Sequence, residues 1–473
     1  MTPTGCFIGG EWRDTDRRFP VTDPATGQTL AEVADAGPAD ALAALDAAVA
    51  AQDAWAATPP RERAAVLRRA HDGLVSRGEE FALLITREMG KPLAESRAEV
   101  GYAADFLQWF AEESVRISGE YRVSPGGDFR IVTARQPVGP CLLVSPWNFP
   151  LAMITRKVGP ALAAGCTALL KPAEDTPLSC LLLVQVLADA GVPAGVVNAL
   201  PTSRPAPLVE RLLADPRLRK LSFTGSTEVG RLLLAQASGN VLRTSMELGG
   251  NAPFLVFADA DLNAAVDGAV LAKLRNGGQS CVAANRFLVE EPVAEEFAGR
   301  LAERMKRVRL GPGTDPASEL GPLINARQRR RVAGLVDDAV AHGARVLAGG
   351  HAEGPFYPAT VLTGVPAEAR IHQEEIFGPV APVTPFAGED AALALANATP
   401  YGLVVYLYTG SLARALRVSE RLEAGMVGVN RGLVSNAAAP FGGIKQSGLG
   451  REGGFEGIGE YVSTKYLALD TAP

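Results

Sequence analysis

Cysteine and histidine are scarce in this chain, 5 and 4 among 473 residues. Cys6, Cys141, Cys166, Cys180 and Cys281 have no paired spacing, which argues against a disulfide framework and against a zinc site. No metal is expected, and a reducing cytoplasm is the expected location. A cationic excess is missing as well. Lys plus Arg total 46 against 52 Asp plus Glu, so the net charge of -6 gives no basic footprint for nucleic acid. Long apolar runs are absent: the greasiest stretch, 180–192, is broken by Gln185 and Asp189, and the first twelve positions lack a charged segment leading into an apolar one. Neither a membrane span nor a targeting segment is expected. The G-x-G-x-x-G dinucleotide fingerprint does not follow the first predicted sheet strand either, so the usual nucleotide-binding argument has no foothold there.

What is present is core material, with 47% hydrophobic and 21% charged residues, ordinary for a soluble globular protein. At about 150 residues per domain the length predicts roughly three structural units. Early on, Leu42, Leu45 and Val49 share one helical face, and Val66, Ala70 and Leu74 share another. From Cys141 the pattern changes to short apolar runs at 141–145, 168–171, 196–200 and 221–223, with helices predicted at 151–164, 178–190 and 227–237. This alternation predicts a doubly wound parallel sheet covered by helices on both faces. A second α/β region starts at Pro253, with strands at 254–257, 287–290, 404–408 and 426–430 and helices at 262–275 and 293–308. Positions 119–136 and 460–469 read as outlying strands.

Three segments carry chemistry. Asn276-Gly277-Gly278-Gln279-Ser280-Cys281 places a thiol just after two glycines, where backbone can approach a ligand closely, although a free cysteine is also a common core filler. Ser145-Pro146-Trp147-Asn148-Phe149-Pro150 follows a predicted strand, which puts Asn148 at the carboxyl end of the sheet, where an amide can donate to an oxyanion. Glu247 stands beside Gly249 and Gly250 at a domain junction, as a candidate base or as a plain helix-cap acid in a surface turn.

Taken in order, Pro-Trp-Asn-Phe-Pro, Glu247-Leu248-Gly249-Gly250-Asn251, Gly278-Gln279-Ser280-Cys281, Glu374-Glu375-Ile376-Phe377-Gly378-Pro379-Val380 and Pro440-Phe441-Gly442-Gly443 resemble the aldehyde dehydrogenase superfamily over nearly the whole chain. The resemblance implies an aldehyde dehydrogenase-like α/β fold: two doubly wound, Rossmann-like domains plus a small β oligomerisation extension. The cofactor-binding domain would span 1–118 and 138–248, the catalytic domain 249–455, and the oligomerisation strands 119–137 and 456–473. It further implies a homodimer or homotetramer, with Cys281 as nucleophile, Asn148 as oxyanion donor and Glu247 as general base. An aldehyde would become a carboxylic acid through a Cys281 thiohemiacetal and thioester.

The implied cofactor is NAD, or NADP, held by Ser145, Pro146, Trp147, Lys171, Ala173, Glu174, Gly225, Ser226, Leu248, Glu375 and Phe377. Ser226 opens a helix and either meets a pyrophosphate oxygen or merely caps the helix. Glu174 suits ribose hydroxyls and repels a 2′-phosphate, which favours NAD unless Arg204 reaches across.

Within the superfamily, 109–113, 153–157, 273–276 and 445–452 resemble the succinate-semialdehyde branch. By that resemblance Arg156, Arg275 and Ser435 hold a distal substrate carboxylate; the alternative is that both arginines form structural ion pairs. Two departures stand out. Ala283 occupies the position of a second cysteine common in that branch, and Arg431 and Ala438 replace expected acids, which leaves acid chain length open. Glutarate semialdehyde and broader aliphatic aldehydes therefore remain alternative substrates. A cysteine hydrolase lacks support because His71, His342, His351 and His372 fall in no nucleophile-base motif, and a silent structural protein is disfavoured by the presence of Cys281, Glu247 and Asn148 together.

Overall fold

The computed structural model describes residues 2–470; position 1 and the last three positions of the predicted 456–473 tail lie outside the described residues. Two large sheets dominate. The first has eight strands, and its centre is five parallel strands, Val197–Ala199, Ala168–Lys171, Cys141–Val144, Lys220–Thr224 and Arg243–Glu247, in that spatial order. Apolar runs such as Cys-Leu-Leu-Val are buried on both faces, as a parallel strand between helix layers requires. Strand order reverses between Cys141–Val144 and Lys220–Thr224, and a crevice at the carboxyl ends of such strands is where open α/β sheets bind ligands.

The second sheet has seven strands, parallel except where Arg345–Ala348 meets Thr360–Thr363. A three-stranded antiparallel sheet stands apart from both. In it, Val462–Asp470 pairs along its full length with Phe129–Pro137, which pairs on its other edge with Glu120–Val123.

The predicted helix 227–237 and strands 168–171 and 404–408 coincide with observed elements, and the other predicted elements of the two α/β regions differ from the observed ones by a few residues at their ends. Sequence reading missed the N-terminal strands Cys6–Ile8 and Glu11–Arg13, which extend the first sheet antiparallel to Val197–Ala199, and the hairpin Arg18–Thr22 with Thr29–Ala34. Strands of three residues are too short to show a period of two. The domain boundary drawn at 455 also differs from the structure. The chain returns to the first sheet earlier, because Gly448–Leu449 pairs antiparallel with Met246 and Glu247. Among the described residues no helix is long and apolar enough to cross a membrane.

Gly448 makes that return feasible: its φ is +144°, and a Cβ added there would overlap the Met246 carbonyl oxygen. Gly448→Ala is therefore expected to lower unfolding free energy by about 2–4 kcal/mol in denaturant titration. Gly459→Ala, with nothing within 4 Å of the added carbon, is expected to stay within about 0.5 kcal/mol of the parent. Equal effects at both positions would contradict the close-approach argument.

Candidate active site

A cavity of about 180 Å³ lies beside the strand-order reversal and is walled by both α/β regions. Cys281, Asn148 and Glu247 all line it. Toward one end stand Trp147, Ser226, Leu248, Glu375 and Phe377; Arg156, Arg275, Ser435, Met153 and Phe441 also face the cavity.

Cys281 is delivered by an unusual stretch of backbone. After the helix Leu262–Leu274, Asn276, Gly277 and Gly278 are all left-handed, with φ of 57°, 64° and 71°. Asn is among the few side chains that tolerate this region. Its amide fixes the turn by donating to the carbonyls of Asn148 and Gln279, both at 2.9 Å, while its backbone N–H donates to Glu95 Oε2 at 2.6 Å. A Cβ on Gly278 would overlap the Gly378 carbonyl, and one on Gly250 would come within 2.5 Å of the Cys281 carbonyl oxygen. The glycines of both motifs are thus there because backbones meet.

Asn148 Nδ2 donates to the Gln279 carbonyl at 2.9 Å. An amide nitrogen has two hydrogens, so one remains for an oxygen in the cavity. Behind it, Lys91 Nζ donates to the Asn148 carbonyl at 2.7 Å and pairs with Glu99 at 2.6 Å, and Glu99 in turn accepts the N–H groups of Leu151 and Ala152 at the start of the helix Ala152–Ala164. Lys91, Glu95 and Glu99 escaped the sequence reading, since nothing in a helix-period pattern distinguishes a buried ion pair from a solvated one.

Four of the cysteines are buried, and Cys281 alone is partly exposed. Burial pushes its thiol up to about 12, with Arg156 opposing and Glu375 and Glu247 adding to the rise. Burial likewise raises Glu247 well above the usual carboxylate range, and the nearby Glu452 raises it further, against Arg156 and Lys157. Glu452 is itself penalised by burial, yet Lys157 and Arg156 hold it below the ordinary value. Of these two carboxylates, then, Glu452 is the easier to ionise and Glu247 the harder. Glu247 Oε2 is buried without a hydrogen-bond partner, as a base awaiting a cavity proton would be.

A dinucleotide fits the other end of the cavity. Thr224 Oγ1 is a buried hydroxyl with no partner, and a Cβ on Gly249 would come within 2.8 Å of Glu375 Oε2. Glu375 Oε1 accepts the Gly250 N–H at 3.1 Å, and burial raises its carboxyl to about 7. Phe377, left-handed at φ 53°, sets its ring edge-on to Trp147 at 5.3 Å. Gln328 and Arg331, which the sequence reading did not single out, hold this segment by donating to the Phe377 and Glu375 carbonyls, both at 2.8 Å. When bound, the nicotinamide supplies the hydride acceptor.

Not every predicted cofactor residue lines the cavity. Ser145, Lys171, Ala173 and Glu174 lie outside its walls, at the ends of Cys141–Val144 and Ala168–Lys171. There Lys171 pairs with Glu174 at 3.3 Å. Ser226 caps the helix Thr227–Ala237 by accepting from Val229, and the Gly225 N–H is spent on the Glu247 carbonyl at 3.1 Å. Pro146 does line the cavity, beside Trp147.

These features suit a thiol-based oxidoreductase, with Cys281, Asn148 and Glu247 on one cavity beside groups that could hold a nucleotide. Residues 12–467 match the Aldehyde dehydrogenase family, and the chain belongs to that family. It is 58% identical over 443 residues to a succinate-semialdehyde dehydrogenase of Paenarthrobacter nicotinovorans, covering 93% of this chain and 98% of the relative. It is 47% identical over 466 residues to a glutarate-semialdehyde dehydrogenase of Pseudomonas putida, covering 98% and 97%. The crystal structure of an E. coli NADP dependent enzyme superposes with a TM-score of 0.98 at 46% identity, covering 99% of this chain and 98% of that one. The fold is that of aldehyde dehydrogenases, and the chain is an NAD(P)-dependent enzyme that oxidises aldehydes.

A base with a raised pKa becomes active only as pH climbs through that raised value. Turnover is expected to increase with pH above the ordinary carboxylate range, and Glu247→Gln to lose that limb while still giving one burst of reduced cofactor in stopped flow. Loss of the burst would assign Glu247 to thiol activation as well.

Proposed function

We propose that this enzyme oxidises succinic semialdehyde to succinate, with Cys281, Asn148 and Glu247 in the catalytic roles. The observation that carries the reading is a pair of arginines opening onto the cavity that holds Cys281. Arg275 Nη1 donates to Ser435 Oγ at 3.3 Å, and its guanidinium lies 4.9 Å from the Phe149 ring centroid. Arg156 lies 4.1 Å from the Phe441 centroid, with Nη2 buried and unpartnered. Guanidinium groups suit the two oxygens of a carboxylate.

In this mechanism Cys281 gives its proton to solvent and the resulting thiolate attacks the aldehyde carbon. Asn148 Nδ2 and the Cys281 N–H stabilise the oxygen that gains charge. After oxidation the acyl group remains on sulfur as a thioester. Glu247, once ionised, then takes a proton from water, whose oxygen attacks the thioester carbon; the carbon–sulfur bond breaks, the acid leaves, and Glu247 passes its proton to the departing Cys281 sulfur. One methylene more between aldehyde and carboxylate would use the same clamp, and the P. putida relative bears the name of that longer substrate.

NAD is the preferred cofactor in this reading, because Glu174 repels a 2′-phosphate and the candidate compensator, Arg204, lies against buried Asp35 at 3.8 Å. The enzyme works as a homodimer or homotetramer in the cytoplasm. The three-stranded sheet supports assembly: its outer strand Val462–Asp470 exposes Tyr466, Leu467 and Leu469, and an unpaired edge of that kind favours pairing.

Arg156 is the less clean target for mutation, since its Nε contacts Glu452 at 2.6 Å and its loss disturbs the Glu247 environment. Arg275→Ala is expected to lower kcat/KM for succinic semialdehyde about thirtyfold or more relative to a neutral aldehyde of similar size. Ser435→Ala, which removes a neutral donor, should cost less. Equal losses for charged and neutral aldehydes would remove the clamp.

A further inference from the structure

We propose that Tyr102 is a specificity-determining residue, its phenolic hydroxyl donating to the distal anion of the substrate beside Arg156 and Arg275. This rests on the carboxylate-clamp reading and adds a group to it that neither motif nor spacing singled out. Tyr102 lies on the helix Leu93–Glu113 and lines the cavity that contains Cys281. Its ring packs on Phe106, one turn along the same helix, with centroids 4.8 Å apart, and Phe106 is fully buried. That contact fixes the direction of the hydroxyl, which is buried, with Arg156 as a donor to its oxygen and no acceptor for its hydrogen.

The neighbours make the orphan informative. Tyr102, Arg156 and Arg275 line the same cavity, and although burial raises the Tyr102 phenol, both guanidinium groups act to lower it. Guanidinium nitrogens only donate. They can serve the phenol oxygen but offer nothing to its hydrogen. Ser435 already accepts from Arg275, which leaves its own hydrogen over too. Glu452 is the carboxylate whose charge reaches the phenol, but it is held by Arg156 and Lys157 at 2.6 and 2.5 Å. Tyr102, Ser435, Arg275 and Arg156 Nη2 therefore all bring hydrogens to one region, where the two hydroxyl oxygens are the only acceptors among them and the donors outnumber them. A carboxylate, with two oxygens and about four lone-pair sites, supplies what this set lacks. A neutral aldehyde does not.

The test compares wild type, Tyr102→Phe and Arg275→Ala with NAD, using succinic semialdehyde and a neutral aldehyde of similar size. Phe keeps the ring and its stack on Phe106. The expected result for Tyr102→Phe is a fall of about tenfold in the charged-to-neutral ratio of kcat/KM, carried by KM for the charged aldehyde. Inhibition by succinate should weaken by about the same factor, a readout independent of turnover. An unchanged ratio in Tyr102→Phe, with a lowered one in Arg275→Ala, overturns the role of Tyr102 and leaves the clamp standing. Unchanged ratios in both variants remove the clamp and Tyr102 together.

Discussion

The Asn148 carbonyl is the joint on which the site depends. It sits at the end of a strand of the first sheet and accepts from Lys91 Nζ and Asn276 Nδ2, while the Asn148 amide reaches Gln279 O. Three chain segments, including the one carrying Cys281, are thereby locked around one buried peptide group. Buried polar groups must be paired, so breaking one of these bonds strands its partners and costs more than the bond itself contributes. The left-handed run at Asn276–Gly278 persists because this network over-determines it, which is how local strain is kept at functional sites.

A second constraint is charge. Arg156, Lys157, Glu247 and Glu452 are all buried, and an isolated charge there would be far too costly. The group resolves it by pairing Glu452 with both cations, while burial and Glu452 hold the Glu247 carboxyl well above its usual range. Structural and catalytic demands thus meet in one cluster. Arg156 serves both: Nε faces Glu452, and Nη2 has no partner. The readings of structural ion pair and substrate arginine, open from sequence, do not exclude each other at this residue, because one guanidinium has donors enough for both.

The parallel strands were legible because burial on both faces leaves runs such as Ala168–Lys171 with almost no polar residue, and the glycine-flanked motifs were legible because close backbone contact excludes side chains. What the chain hides is long-range pairing. Nothing near Glu452 announces Arg156 and Lys157, almost 300 positions earlier, and nothing near Tyr102 announces Arg275. The short N-terminal strands and the return of Gly448–Leu449 to the first sheet were hidden for the same reason: their partners, not their own pattern, make them strands. Ser226 reads equally as cap or phosphate ligand from sequence, and the structure finds it capping its helix.

The central claim is that chemistry runs through a covalent bond to Cys281, with the nucleotide held by other groups. Its most direct test is Cys281→Ala, assayed for steady-state NADH formation and, separately, for NAD affinity by titration calorimetry. The account predicts no measurable turnover with NAD affinity close to that of the parent. Turnover near the parent rate would contradict it outright.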